Sequence, residues 1–198
     1  MGGTPTPLPV PNPGAMAATP GPHPGPEPGP SGLGEREYPT GSLFSKDVVF
    51  AAIPWNAAMT ALGELATDAK WDRKELTITV AKENIVTACQ AVQAAGYSFF
   101  EDVTAVDWYP QEPRMQLSYH ILSLGMKERV RIAVRLGSDD LALDSITPVW
   151  PSANFYEREI FDLFGVRFSG HPRLTRIMMP DDWNGHPLRK DYPVEGYR

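Results

Sequence analysis

The densest run of residues able to do chemistry is WPSANFYEREIFDLFGVRF, residues 150–168, in which Glu157, Arg158, Glu159 and Asp162 fall within six positions. On a helix, Glu159 and Asp162 emerge side by side, and Arg158, four before Asp162, is within pairing distance of it. A like-charge pair in a dry cleft separates two carboxyl pKa values and can create a proton donor beside an acceptor. Glycosidase-type hydrolysis asks for carboxyls that flank a substrate from different elements, and the sequence offers no nucleophile or oxyanion site to go with them. The four charges therefore read as a solvated helix face or as a face turned to a partner.

Two histidines follow, His171 and His186, with Asp162, Asp181 and Asp182 nearby in the sequence. They lack the H-x-x-x-H or H-E-x-x-H spacing that directs two imidazoles at one metal, and each precedes a proline in a loop. The single cysteine, Cys89, excludes an internal disulfide and cannot supply the thiolates of an iron–sulfur cluster. No Walker loop or G-x-G-x-x-G turn occurs. The chain is expected to carry no catalytic, cofactor-binding or metal-binding residues of its own.

The charged helix has its own start and stop signals. Asn154 can cap a helix whose third residue is Glu157, an Asn variant of the capping box, and Gly165 can end it, with Tyr156, Ile160, Leu163 and Phe164 along the apolar face. Upstream, Pro54 suits a first helical position, and Trp55, Met59, Leu62 and Ala66 recur at helical steps. DAKWDRKE reads as a charged turn and LTITV, residues 76–80, as a strand. A helix over 82–95 follows, with Ile85, Ala88, Cys89 and Val92 on one face, Cys89 as a small core residue, and Gly96 at the end.

Three strand candidates come next: YSFFEDVTAVDWY, MQLSYHILSL and RVRIAVRL. In the last, Val130, Ile132, Val134 and Leu136 alternate with Arg129, Arg131, Ala133 and Arg135, so one face is apolar and the other basic. Strand, helix and a three-stranded antiparallel meander predict a mixed sheet covered on its apolar side by helices. The fold class is α+β, a two-layer domain followed by a short charged helix and an extended C-terminal tail. The expected organisation is a leader over 1–40, the α+β domain over 41–153, and an interface segment over 154–198.

Of the 21 prolines, 12 lie in residues 1–40, which hold few aliphatic or aromatic residues and predict a disordered or polyproline-like leader. The start, MGGTPT, matches a short acylation pattern at Gly2 and Thr6. No secretory signal and no run of about 18 apolar residues is present, so the chain is expected to be soluble by itself, in a reducing compartment. A net charge of −6 with interspersed signs argues against nucleic acid, and against a membrane surface, as the direct partner.

The chain closes with WNGHPLRKDYPVEGYR, where Pro187 and Pro193 bar a helix. Trp183, Arg189, Lys190, Asp191, Tyr192 and Tyr197 are too charged to bury and too aromatic for a solvated tail, so a surface is expected against them. Seven residues from Pro187 to Pro193 reach roughly 23 Å when extended, enough to cross a neighbour's face.

The stretch YEREIFDLFGVRFSGHPRLTRIMMPDDWNGHPLRKDYP resembles the signature region of the C-type, or 30 kDa, subunit of proton-pumping NADH–quinone oxidoreductase, respiratory complex I. E-R-E-x-x-D-x-x-G, G-H-P and H-P-L-R-K-D-Y-P agree in order and spacing. LTITVAKENIVTACQAVQAAGYSFFEDVTAVDWY resembles, more loosely, the family's strand–helix–strand opening. The pattern has a basic residue or proline where this chain has Thr175. The resemblance implies a non-catalytic subunit of the peripheral arm, on the cytoplasmic side of the membrane and attached to it only through the complex. It implies that FMN, Fe-S clusters and quinone reside in partner subunits. It also implies that the chain braces the hydrogenase-like D-type subunit, which forms the quinone pocket, near other peripheral-arm subunits including the B-type Fe-S subunit. The expected interface comprises Glu157, Arg158, Glu159, Asp162, Arg173, Arg176, Trp183, Arg189, Lys190, Asp191 and Tyr192. Alternatives are the equivalent subunit of a membrane-bound hydrogenase or of an oxidoreductase using ferredoxin or another donor, and a free-standing module binding an anion on its arginine face.

Overall fold

The structure, a computed structural model, describes residues 57–72 and 75–195. The leader, the helix start at Pro54 and Trp55, and Tyr197 lie outside the described residues. Three α-helices are described: α1 (Ala57–Leu62), α2 (Ile85–Ala94) and α3 (Ala153–Phe164). Five strands, β1 (Ala66–Asp72), β2 (Glu75–Val80), β3 (Phe99–Asp107), β4 (Met115–Ser123) and β5 (Glu128–Leu136), form one sheet in the order β1-β2-β5-β4-β3. Two short strands, β6 (Ala142–Asp144) and β7 (Arg167–Ser169), pair in parallel across α3.

The meander β3–β4–β5 is antiparallel, and β2 joins it parallel to β5, which makes the sheet mixed as expected. Register puts Ile78, Ile132, Tyr119 and Val103 in one row across four strands, all at 3% exposure or less. The neighbouring row, Thr77, Arg131, His120 and Asp102, faces the other way. Period-two alternation thus separates an apolar face from a charged one. Ala58 and Leu62 of α1, Ile85, Ala88, Cys89 and Val92 of α2, and Ala153 and Ile160 of α3 all belong to the core cluster over the apolar face.

Several local readings are corrected or completed. Most of DAKWDRKE is strand rather than turn: Asp68 to Asp72 complete β1, an edge strand paired antiparallel to β2, Glu75 opens β2, residues 73 and 74 lie outside the described residues, and Ala66 opens β1 rather than extending the helix. Its outward charges hid it, because an edge strand needs few buried residues, here Ala66 and Ala69. The cover of the sheet includes α3 as well as the first two helices, since Phe100 of β3 stacks on Trp150 at 5.6 Å and meets Tyr156 edge-on at 5.8 Å. Asn154 does not cap α3; the helix starts at Ala153 behind Ser152 with no side-chain cap, and the Asn154 carbonyl accepts from His171 Nε2 instead. Finally, β6 and β7, three residues each, carried no periodic signal to find.

Ile132 sits at the centre of the buried row with no exposure. Ile132→Ala should lower unfolding stability by about 2–5 kcal/mol, seen as a lower urea midpoint at unchanged m-value.

Candidate subunit interface

Helix α3 begins and ends for identifiable reasons. Pro151 and Ser152 turn the chain into it, and Gly165 leaves it with φ +80°, its N–H bonded to the Phe161 carbonyl at 3.0 Å. A side chain at Gly165 would be strained there and would meet the His186 ring at 2.7 Å.

The charged residues of α3 do not form a solvated face. Glu157 and Asp162 are fully buried. Asp162 Oδ2 accepts the N–H groups of Ile177, Met178 and Met179 at 3.0, 2.7 and 2.8 Å, and its Oδ1 takes Arg176 Nη1 at 2.6 Å. Burial pushes this carboxyl up, but those N–H donors and the guanidinium outweigh it and hold the pKa below the ordinary value. Arg176 also donates through Nη2 to the carbonyls of Trp183 and Gly185 at 2.9 and 3.1 Å. Arg158 does not pair with Asp162. It donates to the carbonyls of Thr175 and Arg176 at 3.1 and 2.9 Å, contacts with backbone that are indifferent to the side chain at Thr175. His186 Nδ1 lies 2.9 Å from the Asp162 carbonyl, and Leu188 N–H donates to the Leu163 carbonyl at 3.0 Å.

Loop 171–188 is therefore suspended from the outer side of α3. Both ring nitrogens of His171 are engaged with backbone, Nδ1 by the Arg173 N–H at 3.0 Å and Nε2 with the Asn154 carbonyl at 3.1 Å. Among the described residues no group of three or more His, Cys, Asp or Glu side chains converges as a metal site.

The tail has a second anchor, one that spacing along the sequence did not reveal. Asp107 at the end of β3 and Arg114 before β4 are both buried and form a two-point pair at 2.9 and 2.7 Å. Arg114 Nη1 also reaches Asp191 Oδ2 at 2.9 Å, and the Lys190 N–H donates to Asp107 Oδ2 at 2.8 Å. The Arg114 guanidinium, aided by the Lys190 and Tyr109 N–H groups against burial, holds the Asp107 carboxyl far below its usual range, and Arg114 likewise lowers Asp191. The tail thus turns, with Arg189 N–H bonded to the His186 carbonyl and Tyr192 N–H to that of Arg189, instead of running at full stretch. Part of the surface expected against it is the chain's own domain.

Of the eleven residues expected at an interface, Glu157 and Asp162 face inward, Arg158 and Arg176 hold the loop, and Asp191 holds the tail. The Tyr192 hydroxyl lies 3.5 Å from the Asn184 carbonyl, and Arg189 is half-buried beside Asp191. Glu159, Arg173, Trp183 and the side chain of Lys190 are exposed. Sequence reasoning missed the exposed apolar side chains of Phe155 and Ile177; Met178 and Leu188 are exposed as well.

On the arginine face of the sheet, Arg129 and Arg131 are matched by carboxylates, while Arg135 donates to Gln116 Oε1 and lies over the Trp108 ring. Arg131 bonds Glu75 at 2.8 Å and His120 Nε2 at 2.8 Å, His120 Nδ1 pairs with Asp102 at 2.5 Å, and Arg129 pairs with Glu101 at 2.7 Å and Glu75 at 3.3 Å. These groups line a shallow groove of about 370 Å³ whose arginines are already matched by carboxylates.

The model of the respiratory-chain NADH dehydrogenase 30 kDa subunit family matches residues 78–198, more than half of the chain. The chain belongs to this 30 kDa subunit family. The C-type subunit of NADH-quinone oxidoreductase from Citrifermentans bemidjiense is 45% identical over 146 residues, 71% of this chain and 91% of that protein. The same subunit of Geobacter sulfurreducens is 46% identical over 131 residues, 65% and 81% of the two chains. Among solved structures, a trypsin-resistant fragment of Nqo5 superimposes with TM-score 0.54 at 29% identity, covering 58% of this chain and 94% of the fragment. A chain of a membrane-bound sulfane sulfur reductase, an archaeal respiratory membrane complex, superimposes with TM-score 0.61 at 25% identity, covering 68% and 82%. The expected α+β fold is that of the 30 kDa subunit family.

Two outcomes follow from the anchors of this family member. Asp162→Asn should raise amide exchange at residues 177–179 by roughly tenfold or more while leaving β4 and β5 protected, because it removes one ionic acceptor from three N–H donors. Asp107, Asp162 and Asp191 all have depressed pKa values, so their stabilising contribution is present above the ordinary aspartate range and lost as pH falls through the folded values. Acid titration should release the tail, read as loss of protection at the Lys190 amide, before the sheet unfolds.

Proposed function

We propose that this chain is a non-catalytic structural subunit of the peripheral arm of a proton-translocating NADH–quinone oxidoreductase, bracing the D-type quinone-pocket subunit so that electrons pass from NADH through FMN and Fe-S clusters to quinone. Family membership supports the assembly. The observation that carries the bracing role is the division of labour on α3 and its loop. Arg158, Asp162 and Arg176 satisfy their polar groups inside the chain and fix the backbone, while Phe155, Glu159, Arg173, Met178, Trp183 and Lys190 point outward from it. A rigid display of aromatic, sulfur-bearing and charged side chains is the composition of interface anchors.

In this reading the FMN, clusters and quinone belong to partner subunits, including the B-type Fe-S subunit, and the chain reaches the cytoplasmic side of the membrane only through them. No described helix is long and apolar enough to cross a bilayer. We infer three parts of the chain: the leader over 1–40, the α+β domain over 41–153 and the interface segment over 154–198. The likeness to the sulfane sulfur reductase chain favours, as a second reading, the equivalent position in a respiratory complex with another electron donor. A free-standing anion-binding module draws little support from the sheet, where Arg129 and Arg131 are matched by carboxylates.

The test is pull-down of the tagged chain from detergent-solubilised membranes, with identification of the companions. Trp183→Ala and Arg189→Ala should each reduce recovery of the D-type subunit several-fold, at about 2 kcal/mol per anchor, with the thermal unfolding of the isolated chain shifted little. Recovery of flavin or clusters in the isolated chain, or normal assembly of both variants, would contradict the reading.

A further inference from the structure

Glu157 is the acid of α3 that the interface reading leaves unexplained. Its side chain has no exposure. One oxygen accepts the Ser145 hydroxyl at 2.6 Å and the other the Ile146 N–H at 2.8 Å, which ties α3 to the turn after β6. Those are two neutral donors for a group with about four acceptor sites when ionised. Asp162 and Asp107, equally enclosed, each receive a guanidinium together with backbone N–H groups. Glu157 receives no guanidinium.

Every titratable group packed around it is set against a charge there. His171, from the loop after β7, places Nε2 at 3.9 Å, but that nitrogen faces the Asn154 carbonyl and Nδ1 accepts the Arg173 N–H, so both ring nitrogens are engaged with backbone rather than with the carboxyl. Tyr119 of β4 is wholly buried, and its hydroxyl, with no hydrogen-bond partner, solvates nothing. The Cys89 thiol of α2 is buried, and burial, reinforced by Glu157, pushes its ionisation up. Arg158, Arg176 and Asp162 belong to the loop side of the helix, where they bond one another or backbone.

We infer that Glu157 is held in the fold as a neutral carboxylic acid, and that loss of its proton to solvent leaves an uncompensated anion which loosens the joint between β6 and α3, making the seat of the signature helix pH-sensitive. Burial raises its pKa from the ordinary 4.5 to about 7, opposed only in part by the Ser145 hydroxyl and the Ile146 N–H. The sign is the reverse of the three aspartates. The unfolded chain releases this proton at lower pH than the folded one, so the contribution is full below about 4.5, declines as pH rises, and is gone above about 7. Any effect on assembly rests on the proposed role of α3; the protonation does not.

Infrared spectra of the full chain, with carbon-13 in its glutamate carboxyls, provide a direct test. A protonated-carboxyl band should persist at about pH 6, where exposed glutamates are ionised, and vanish with a midpoint near 7; Glu157→Gln should abolish it. In thermal and urea unfolding, the ratio of the unfolding constants of wild type and Glu157→Gln should rise at least about tenfold from about pH 5 to about pH 8. Absence of the band in the wild type, or a variant whose stability tracks wild type at every pH, overturns the inference. If Glu157→Gln does not fold, the midpoint of the labelled wild-type band decides alone. Failed co-purification with the D-type subunit would leave these spectra unchanged, so the two readings fail separately.

Discussion

A carboxylate enclosed by protein survives only if its charge is met, and Asp162 is the point at which this chain meets that demand most completely. Three successive N–H groups and a guanidinium converge on it, and the same guanidinium continues to two carbonyls further along. A loop without helix or strand is thereby given fixed ends and a fixed middle. Loops normally satisfy their backbone with water and are mobile for that reason. This one satisfies much of it against a single helix, so the path of residues 171–188 is determined by the register of α3 rather than by local turn preferences.

That dependence explains why the helix must be seated before the loop can be. Ala153 and Ile160 bury against the sheet, Phe100 is sandwiched between Trp150 and Tyr156, and the Trp150 Nε1 reaches the Ser98 carbonyl at 3.2 Å. The β6–α3–β7 crossover then fixes both helix ends. Apolar packing supplies the affinity of helix for sheet, and the buried acids supply the orientation about its axis, since rotating α3 by one residue would strand Glu157 and Asp162 without donors. The Asp107–Arg114 pair does the corresponding job for the tail, at the opposite end of the meander.

The division between what was and was not legible in the sequence follows the same physics. Alternation in RVRIAVRL and the helical spacing of Ile85, Ala88, Cys89 and Val92 were readable because burial is periodic when an element has one covered face. The edge strand β1 was not, since its outer positions are charged whether or not it is a strand. The carboxylates of α3 were misread for a related reason. Their identity signals solvent, and only Ser145 and Ile146, 12 and 11 positions before Glu157, and Arg176, 14 positions after Asp162, convert them into interior groups. The E-R-E-x-x-D-x-x-G resemblance singled out these residues, and the fold turns two of its three acids, Glu157 and Asp162, inward. Glu159 alone among the acids of that motif remains turned outward.

A tail pinned to its own domain at two places has a consequence for association. Ordering a free segment on binding costs on the order of 0.5–1.5 kcal/mol for each immobilised side chain, and more for its backbone. Here the Asp162 and Asp191 anchors meet much of that cost within the chain, before any partner arrives. In the proposed assembly a partner would meet a surface whose aromatic and sulfur-bearing positions are already spaced, and its affinity would depend on complementarity to that surface rather than on inducing it. Under the proposed bracing role the anchors would matter to assembly without touching the partner.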